Sequence, residues 1–163
     1  MAGSPITESE YLTFILGEEE FGVDILCVQE IKVWSPVTEI PGTPSYLKGV
    51  INLRGVIVPI VDLRERFHAE SKQYSPTTVV IVLQGMVNEK KSMVGVVVDA
   101  VSDVHKVAGS DEKDAPDLGR HIDSRFIKGM ATIDEKIIIL LDASVLLDVN
   151  ELFENIKDVK QAS

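Results

Sequence analysis

Residues 46–67, YLKGVINLRGVIVPIVDLRERF, return in altered form as residues 126–147, FIKGMATIDEKIIILLDASVLL, and the two align without a gap. Lys48 meets Lys128, Gly49 meets Gly129, Ile57 meets Ile137 and Asp62 meets Asp142. Upstream, FGVDILCVQEIKV (21–33) lies over VGVVVDAVSDVHK (94–106), with Gly22 on Gly95, Val28 on Val101, Glu30 on Asp103 and Ile31 on Val104. A chain assembled from two copies of one unit is restricted to architectures in which that unit is used twice. The copies part company at Asn52-Leu53-Arg54-Gly55, which becomes Thr132-Ile133-Asp134-Glu135.

The apolar runs are short, β-branched and closely spaced: YLTFIL (11–16), VVIVL (79–83), VGVVV (94–98) and IIILL (137–141). They read as strands. Several are apolar at successive positions, so both of their faces should be buried. A parallel α/β sheet would also give that pattern, but it needs crossover helices. Only Arg54-Gly55 separates Leu53 from Val56, and only Gly-Glu-Glu-Glu separates Leu16 from Phe21. Those are hairpin connections. The expected fold is all-β: two packed five-stranded barrels, each strand filling its own barrel with one face and sealing the seam with the other.

The expected strands are 11–16, 20–25, 30–39, 47–53 and 55–62, then 77–84, 92–99, 101–108, 125–133 and 136–142. One domain, 10–150, would hold a barrel at about 17–78 and another at about 79–150, with tails at 1–9 and 151–163. Strand 11–16 is left open between its own barrel and the second. The second copy has a longer first hairpin loop (85–92) and a polar insertion (109–124). Asp62 and Asp142 read as N-caps of short helical turns. The tail NELFENIKDVKQ, apolar at 152, 153, 156 and 159, has helical spacing, so a C-terminal helix is expected.

Sixteen basic and twenty-six acidic side chains give a net charge of −10, which repels phosphate backbones and anionic lipid. Nucleic-acid and membrane-surface partners are therefore not expected. The single cysteine, Cys27, excludes an internal disulfide and points to a reduced, cytosolic compartment. No basic stretch followed by an apolar core opens the chain, and no apolar run approaches the roughly 18 residues that span a bilayer.

Motifs of common enzyme classes are missing. The glycine spacings give no dinucleotide loop, no nucleophile elbow and no phosphate loop. His68, His105 and His121 are scattered, so neither a metal nor a cofactor site is expected. Asp62 and Asp142 could in principle form a carboxylate dyad, but such a site needs Ser/Thr-Gly after each Asp. Here Leu63-Arg64 and Ala143-Ser144 follow, and capping accounts for both. Asp99 and Asp103 read as surface or turn carboxylates.

Two surfaces are candidates for binding. At the divergent hairpin tip, Gly55 supplies the flexible residue, while Arg54 is not demanded by the turn and could meet a carboxylate-bearing partner. Pro59 in the following strand removes a ladder donor, so that strand should be bulged or edge-like there. The second surface is Val28, Glu30, Ile31 and Val33, with Val101 and Val104 from the other copy. These could flank a groove at the seam that fits a partner helix.

LGEEEFGVDILCVQEI, the Ile-Pro at 40–41, YLKGVINLRGVIVPIVDLRERF and VGVVVDAVSDV together resemble the CheW family of bacterial chemotaxis coupling proteins, over about residues 10–150. The string from Gly49 to Leu63, G-V-I-N-L-R-G-x-x-x-P-x-x-D-L, is the specific part. The resemblance implies two SH3-like β-barrels, no catalysis and no cofactor. It implies a cytoplasmic adaptor, recruited to membrane-associated receptor arrays, that joins the chemoreceptor's cytoplasmic tip to the regulatory domain of the CheA histidine kinase. Receptor contact is implied at Val28, Glu30, Ile31, Gly49, Asn52 and Arg54, with Val101 and Val104. Kinase or array contact is implied at the long loop of the second copy, around Leu118. An adaptor of another receptor–kinase pathway fits the same residues.

Overall fold

The structure, a computed structural model, describes residues 8–67, 73–108, 113 and 124–148. Ten strands form two five-stranded sheets: β1 (Glu8–Leu16), β2 (Glu19–Asp24), β3 (Val28–Val33), β4 (Leu47–Leu53), β5 (Val56–Asp62), β6 (Val79–Val87), β7 (Lys90–Val98), β8 (Ala100–Ala108), β9 (Ile127–Ile133) and β10 (Lys136–Leu141). Among the described residues the two α-helices are short turns, α1 (Leu63–Arg66) and α2 (Ala143–Leu147), each following a repeated strand. The mostly-β, two-sheet fold is as expected from the repeat.

Strand order is β8-β1-β2-β10-β9 in one sheet and β3-β6-β7-β5-β4 in the other. Each sheet therefore contains the first hairpin of one copy and the last three strands of the other. Under the repeat, one order maps onto the other strand for strand. Division into barrels at 17–78 and 79–150 does not describe this pairing, because both first hairpins are exchanged. Strand 11–16 crosses over, and β2 goes with it. At one crossing Asp99 alone separates β7 from β8, too few residues for a two-residue hairpin. At the other, Ile25–Cys27 link β2 to β3 as a short helical turn, and the chain changes sheet there as well.

Exchange also makes two pairings parallel, β2 with β10 and β5 with β7, where antiparallel ones were expected. At those crossings Gly22 and Gly95 take equivalent places. A Cβ there would meet Leu140 Cδ2 at 3.2 Å or Ile60 Cδ1 at 2.5 Å, and these two side chains are themselves repeat equivalents.

Double burial of the strands produces three cores. The shared one between the sheets gathers Leu12, Phe14, Phe21 and Val23 from one side with Ile81, Leu83, Val94 and Val96 from the other. Leu53, Val58, Ile60, Val80, Val82 and Val97 fill one barrel, and Tyr11, Val107, Ala131, Ile138 and Leu140 fill the other. Burying a large aliphatic side chain is worth about 1.5–3 kcal/mol, so the shared core dominates cohesion.

Expected strand 30–39 is shorter than predicted. β3 ends at Val33, and the chain then bends across the barrel mouth until Thr38 bridges Val50 of β4. Lys113 bridges Met130 in the same way in the other barrel. These bridges bring the two edges of each sheet together. Residues 85–92 are mostly strand rather than loop, with only Asn88-Glu89 as the turn. Pro59 lies where β5 has β4 alone beside it, since pairing with β7 begins at Ile60, so the edge-like expectation holds. The accompanying bulge is in β4, between Leu47 and Gly49. The C-terminal helix, most of the 109–124 insertion, His68 and His121 lie outside the described residues.

Candidate functional site

Strand β3 is an edge strand, bonded to β6 only, with a bulge between Val28 and Glu30. Beyond the bulge its side chains alternate: Ile31 is 45% and Val33 70% exposed, and neither joins a core. Barrel closure carries the β4–β5 tip to this strand, where Arg54 Nη2 donates to Glu30 Oε2. Lys32 Nζ sits 3.8 Å from the other Glu30 oxygen. Arg54 and Glu30 are 67% and 25% exposed, so this solvated pair contributes at most about 1 kcal/mol to folding. Its interest lies in placement, because Val56 and Ile57 beside the tip are also exposed. The charged pair lies on the barrel face of β3, where Glu30 is paired with Val82, while Ile31 and Val33 lie on its seam face beside Ile81 and Val79. Exposed apolar and charged groups thus flank one edge strand, a composition that marks binding surfaces.

The tip differs from the sequence expectation in one respect. Arg54 has φ +50° and Gly55 φ +88°, while Asp134 and Glu135 of the other copy have +51° and +68°. Both are primed hairpin turns, and the second makes one without glycine. Glycine is therefore not required at the tip. Asn52 Oδ1 accepts from Gly55 N at 2.8 Å and braces the turn. Arginine in the left-handed region is an uncommon choice and costs on the order of 1 kcal/mol.

The other predicted residues divide. Val28 and Val101 are half-buried against the shared core, on the edge strands of different sheets, so they bound the seam from both sides. Val104, the repeat partner of Ile31, is 43% exposed on β8. Asp103 beside it accepts Val104 N at 2.8 Å and remains a surface carboxylate. Gly49 is buried, and its φ of +148° and closeness to Thr38 make it structural. Leu118 lies outside the described residues.

Two features escaped the sequence reading. Ile57 and Val56 are exposed, and their signal was available as apolar residues directly after a polar tip. Asp99 is not a surface carboxylate: its side chain is 12% exposed and paired with Arg64, itself 1% exposed. Both caps are as expected, with Asp62 Oδ1 accepting Arg64 N and Asp142 Oδ1 accepting Ser144 N, each at 3.0 Å. Asp62 also holds the Arg64 guanidinium through both oxygens, at 2.9 and 2.8 Å, so it is no half of a facing carboxylate dyad.

Among the described residues no group of three or more His, Cys, Asp or Glu could hold a metal ion. Burial, reinforced by Asp24 and Asp142 and opposed by Lys128, pushes the Cys27 thiol above its ordinary value. It stays protonated at neutral pH and is a poor nucleophile. No helix among the described residues is long and apolar enough to cross a membrane.

Comparison with known proteins accounts for nearly the whole chain. The family model of the CheW-like domain matches residues 10–151. The chemotaxis protein CheW of Klebsiella aerogenes is 43% identical over 152 residues, covering 93% of this chain and 89% of its own. That of Rhizobium meliloti is 38% identical over 133 residues, covering 82% and 83%. The crystal structure of the scaffolding protein TtCheW from Thermoanaerobacter tengcongensis superposes with a TM-score of 0.77 at 33% identity, over 89% of this chain and 96% of that one.

Proposed function

The chain belongs to the CheW-like domain family of chemotaxis scaffold proteins, and from that premise we propose that it couples chemoreceptor cytoplasmic tips to the CheA histidine kinase. The observation that carries this reading is the Arg54–Glu30 pair on an edge strand that also exposes Ile31 and Val33, next to the exposed Val56 and Ile57 of the tip. A receptor tip offers helices, whose apolar faces suit such a surface while their carboxylates suit Arg54. Val28 and Val101, at the seam, extend the same surface toward the second sheet. The protein acts as a non-enzymatic scaffold: receptor and kinase are held together, and receptor state alters kinase activity through fixed geometry. In the cell it would be a cytoplasmic protein recruited to receptor arrays, with Leu118 and its loop facing the kinase or neighbouring scaffolds.

Reconstitution with a receptor cytoplasmic fragment and the kinase tests the reading. Wild type should form a ternary complex with raised kinase activity, and failure to bind either partner would remove the proposal. Arg54→Ala should weaken receptor binding by about 1–2 kcal/mol, measured by calorimetry, and leave kinase binding intact. Arg54→Asn, better suited to a positive φ, should melt no lower than wild type and still bind the receptor weakly. Equal loss of both partners would make Arg54 structural.

A further inference from the structure

Among the largest fully buried side chains of the molecule is a charged one, Arg64. Its Nε and Nη2 donate to the two oxygens of Asp62 at 2.9 and 2.8 Å, and its Nη1 donates to Asp99 Oδ1 at 3.0 Å. The other Asp99 oxygen accepts from Gly17 N at 2.7 Å, and Asp99 N donates to Ile15 O at 3.0 Å. Thr77 Oγ1 donates to the Asp99 carbonyl at 3.0 Å. The Tyr74 ring lies 5.2 Å from the guanidinium carbon and stacks on Trp34.

Placement gives this cluster its meaning. Asp62 and Arg64 close β5 in one sheet. Ile15, near the end of β1, and Gly17, in the turn that follows, belong to the exchanged β1–β2 hairpin in the other. Asp99 is the single residue through which the chain passes from one sheet into the other as β8. One guanidinium therefore ties three chain segments at the point where the sheets cross. Among the described residues the repeat-equivalent point has no such tie: Ser144 stands for Arg64, with its hydroxyl on Asp142 at 2.5 Å, while Leu26, 84% exposed, stands for Asp99.

Apolar side chains of similar volume often hold a joint as firmly as a buried ion pair. What a fully satisfied ionic network adds is a unique geometry, because its partners tolerate little displacement. We propose that Arg64, with Asp62 and Asp99, is a pin that fixes the placement of the β1–β2 hairpin and β8 relative to β3 and the Arg54 tip, and that coupling of receptor to kinase depends on this pin. The proposal rests on the coupling function above. These three are positioning residues that touch neither partner.

The test uses full-length Asp99→Asn, which leaves the Asp62–Arg64 pair in place and cannot satisfy Arg64 and Gly17 together as strongly. Affinity for the receptor fragment and for the kinase should each stay within about twofold of wild type. Receptor-dependent kinase activation at saturating partners should fall by about fivefold or more, the scale of ordinary coupling energies. Residual dipolar couplings of the free protein should show a changed angle between the two sheets. Unchanged activation at saturation, well below the melting temperature, would overturn the pin, as would parallel loss of binding to either partner. If wild type itself fails to couple the partners, the functional reading falls, and the dipolar couplings still decide whether the pin sets the angle. Should Asp99→Asn not fold, Arg64→Lys keeps the charge, cannot span both carboxylates, and answers to the same measurements.

Discussion

Asp62→Asn is expected to cost the fold about 3 kcal/mol, whereas Asp142→Asn costs almost nothing, although the two residues occupy the same position of the repeat. Asparagine caps a helix as well as aspartate, so neither substitution removes the cap. The difference is Arg64. Asp62 is 1% exposed and holds that guanidinium through both oxygens. Neutralising it leaves a buried cation with Asp99 as its sole carboxylate. Among the described residues the Asp142 side chain bonds to Ser144 alone and has no ion-pair partner to lose. In a domain of this size the gap corresponds to roughly 6–12 °C in melting temperature. Thermal denaturation by circular dichroism would read it. Equal effects of the two substitutions would mean that Asp62 acts through its cap alone. In the native protein the hydrogen bond to Asp62 raises the Arg64 pKa against the opposing effect of burial. An arginine stays charged throughout the folding range even without that partner, so the loss should not be recovered by changing pH.

Gly49→Ala should be at least as damaging, at about 3 kcal/mol or more. Two causes act together. A Cβ on Gly49 would overlap the carbonyl of Thr38, which is backbone and cannot rotate aside, and φ +148° is disfavoured for any side chain. The casualty is the Thr38–Val50 bridge, with its bonds of 3.0 and 2.9 Å, which closes the barrel carrying Arg54. Gly55→Ala is the control: φ is +88° there, but nothing lies within 4 Å, so about 1 kcal/mol is expected. Urea unfolding of the pair would separate a collision from a backbone preference, and equal midpoints would refute the collision. Any loss of receptor binding in Gly49 variants would then follow from the opened barrel, since the residue is buried and presents no contact of its own.

Legibility along the chain varied with the kind of signal. The strands were readable because β-branched runs between tight turns have few alternatives, and nine of the ten matched to within a few residues. Strand 30–39 was overextended, because Val37 and Thr38 are apolar or β-branched for the sake of barrel closure rather than a ladder. The Arg54 tip was readable because one copy of a repeat showed what the fold tolerates at that place. That it pairs with Glu30 was not readable, since β3 and β4 are opposite edges of one sheet and meet only when the barrel closes. Arg64 entered the sequence reading only as a follower of the Asp62 cap, and its neighbours Glu65 and Arg66 are half-buried rather than buried. Its burial follows from the hairpin exchange, which no local pattern announces.

By itself, the sequence determined the use of one unit twice, the all-β content, the caps at Asp62 and Asp142, and the divergent tip at Asn52–Gly55. Each of these is set by interactions within a few residues: alternation, turn chemistry, a side chain reaching its own helix. Tertiary structure alone decided which hairpin belongs to which sheet, the closure by Thr38, the seam bounded by Val28 and Val101, and the buried pin of Arg64. Those depend on contacts between segments far apart in the chain, and they follow from shared burial of the strands' two faces. The one-residue link at Asp99 is where the two kinds of information meet: locally it is too short for a hairpin, while the same change of sheet across the longer Ile25–Cys27 link shows that the packing of the two sheets decides the exchange.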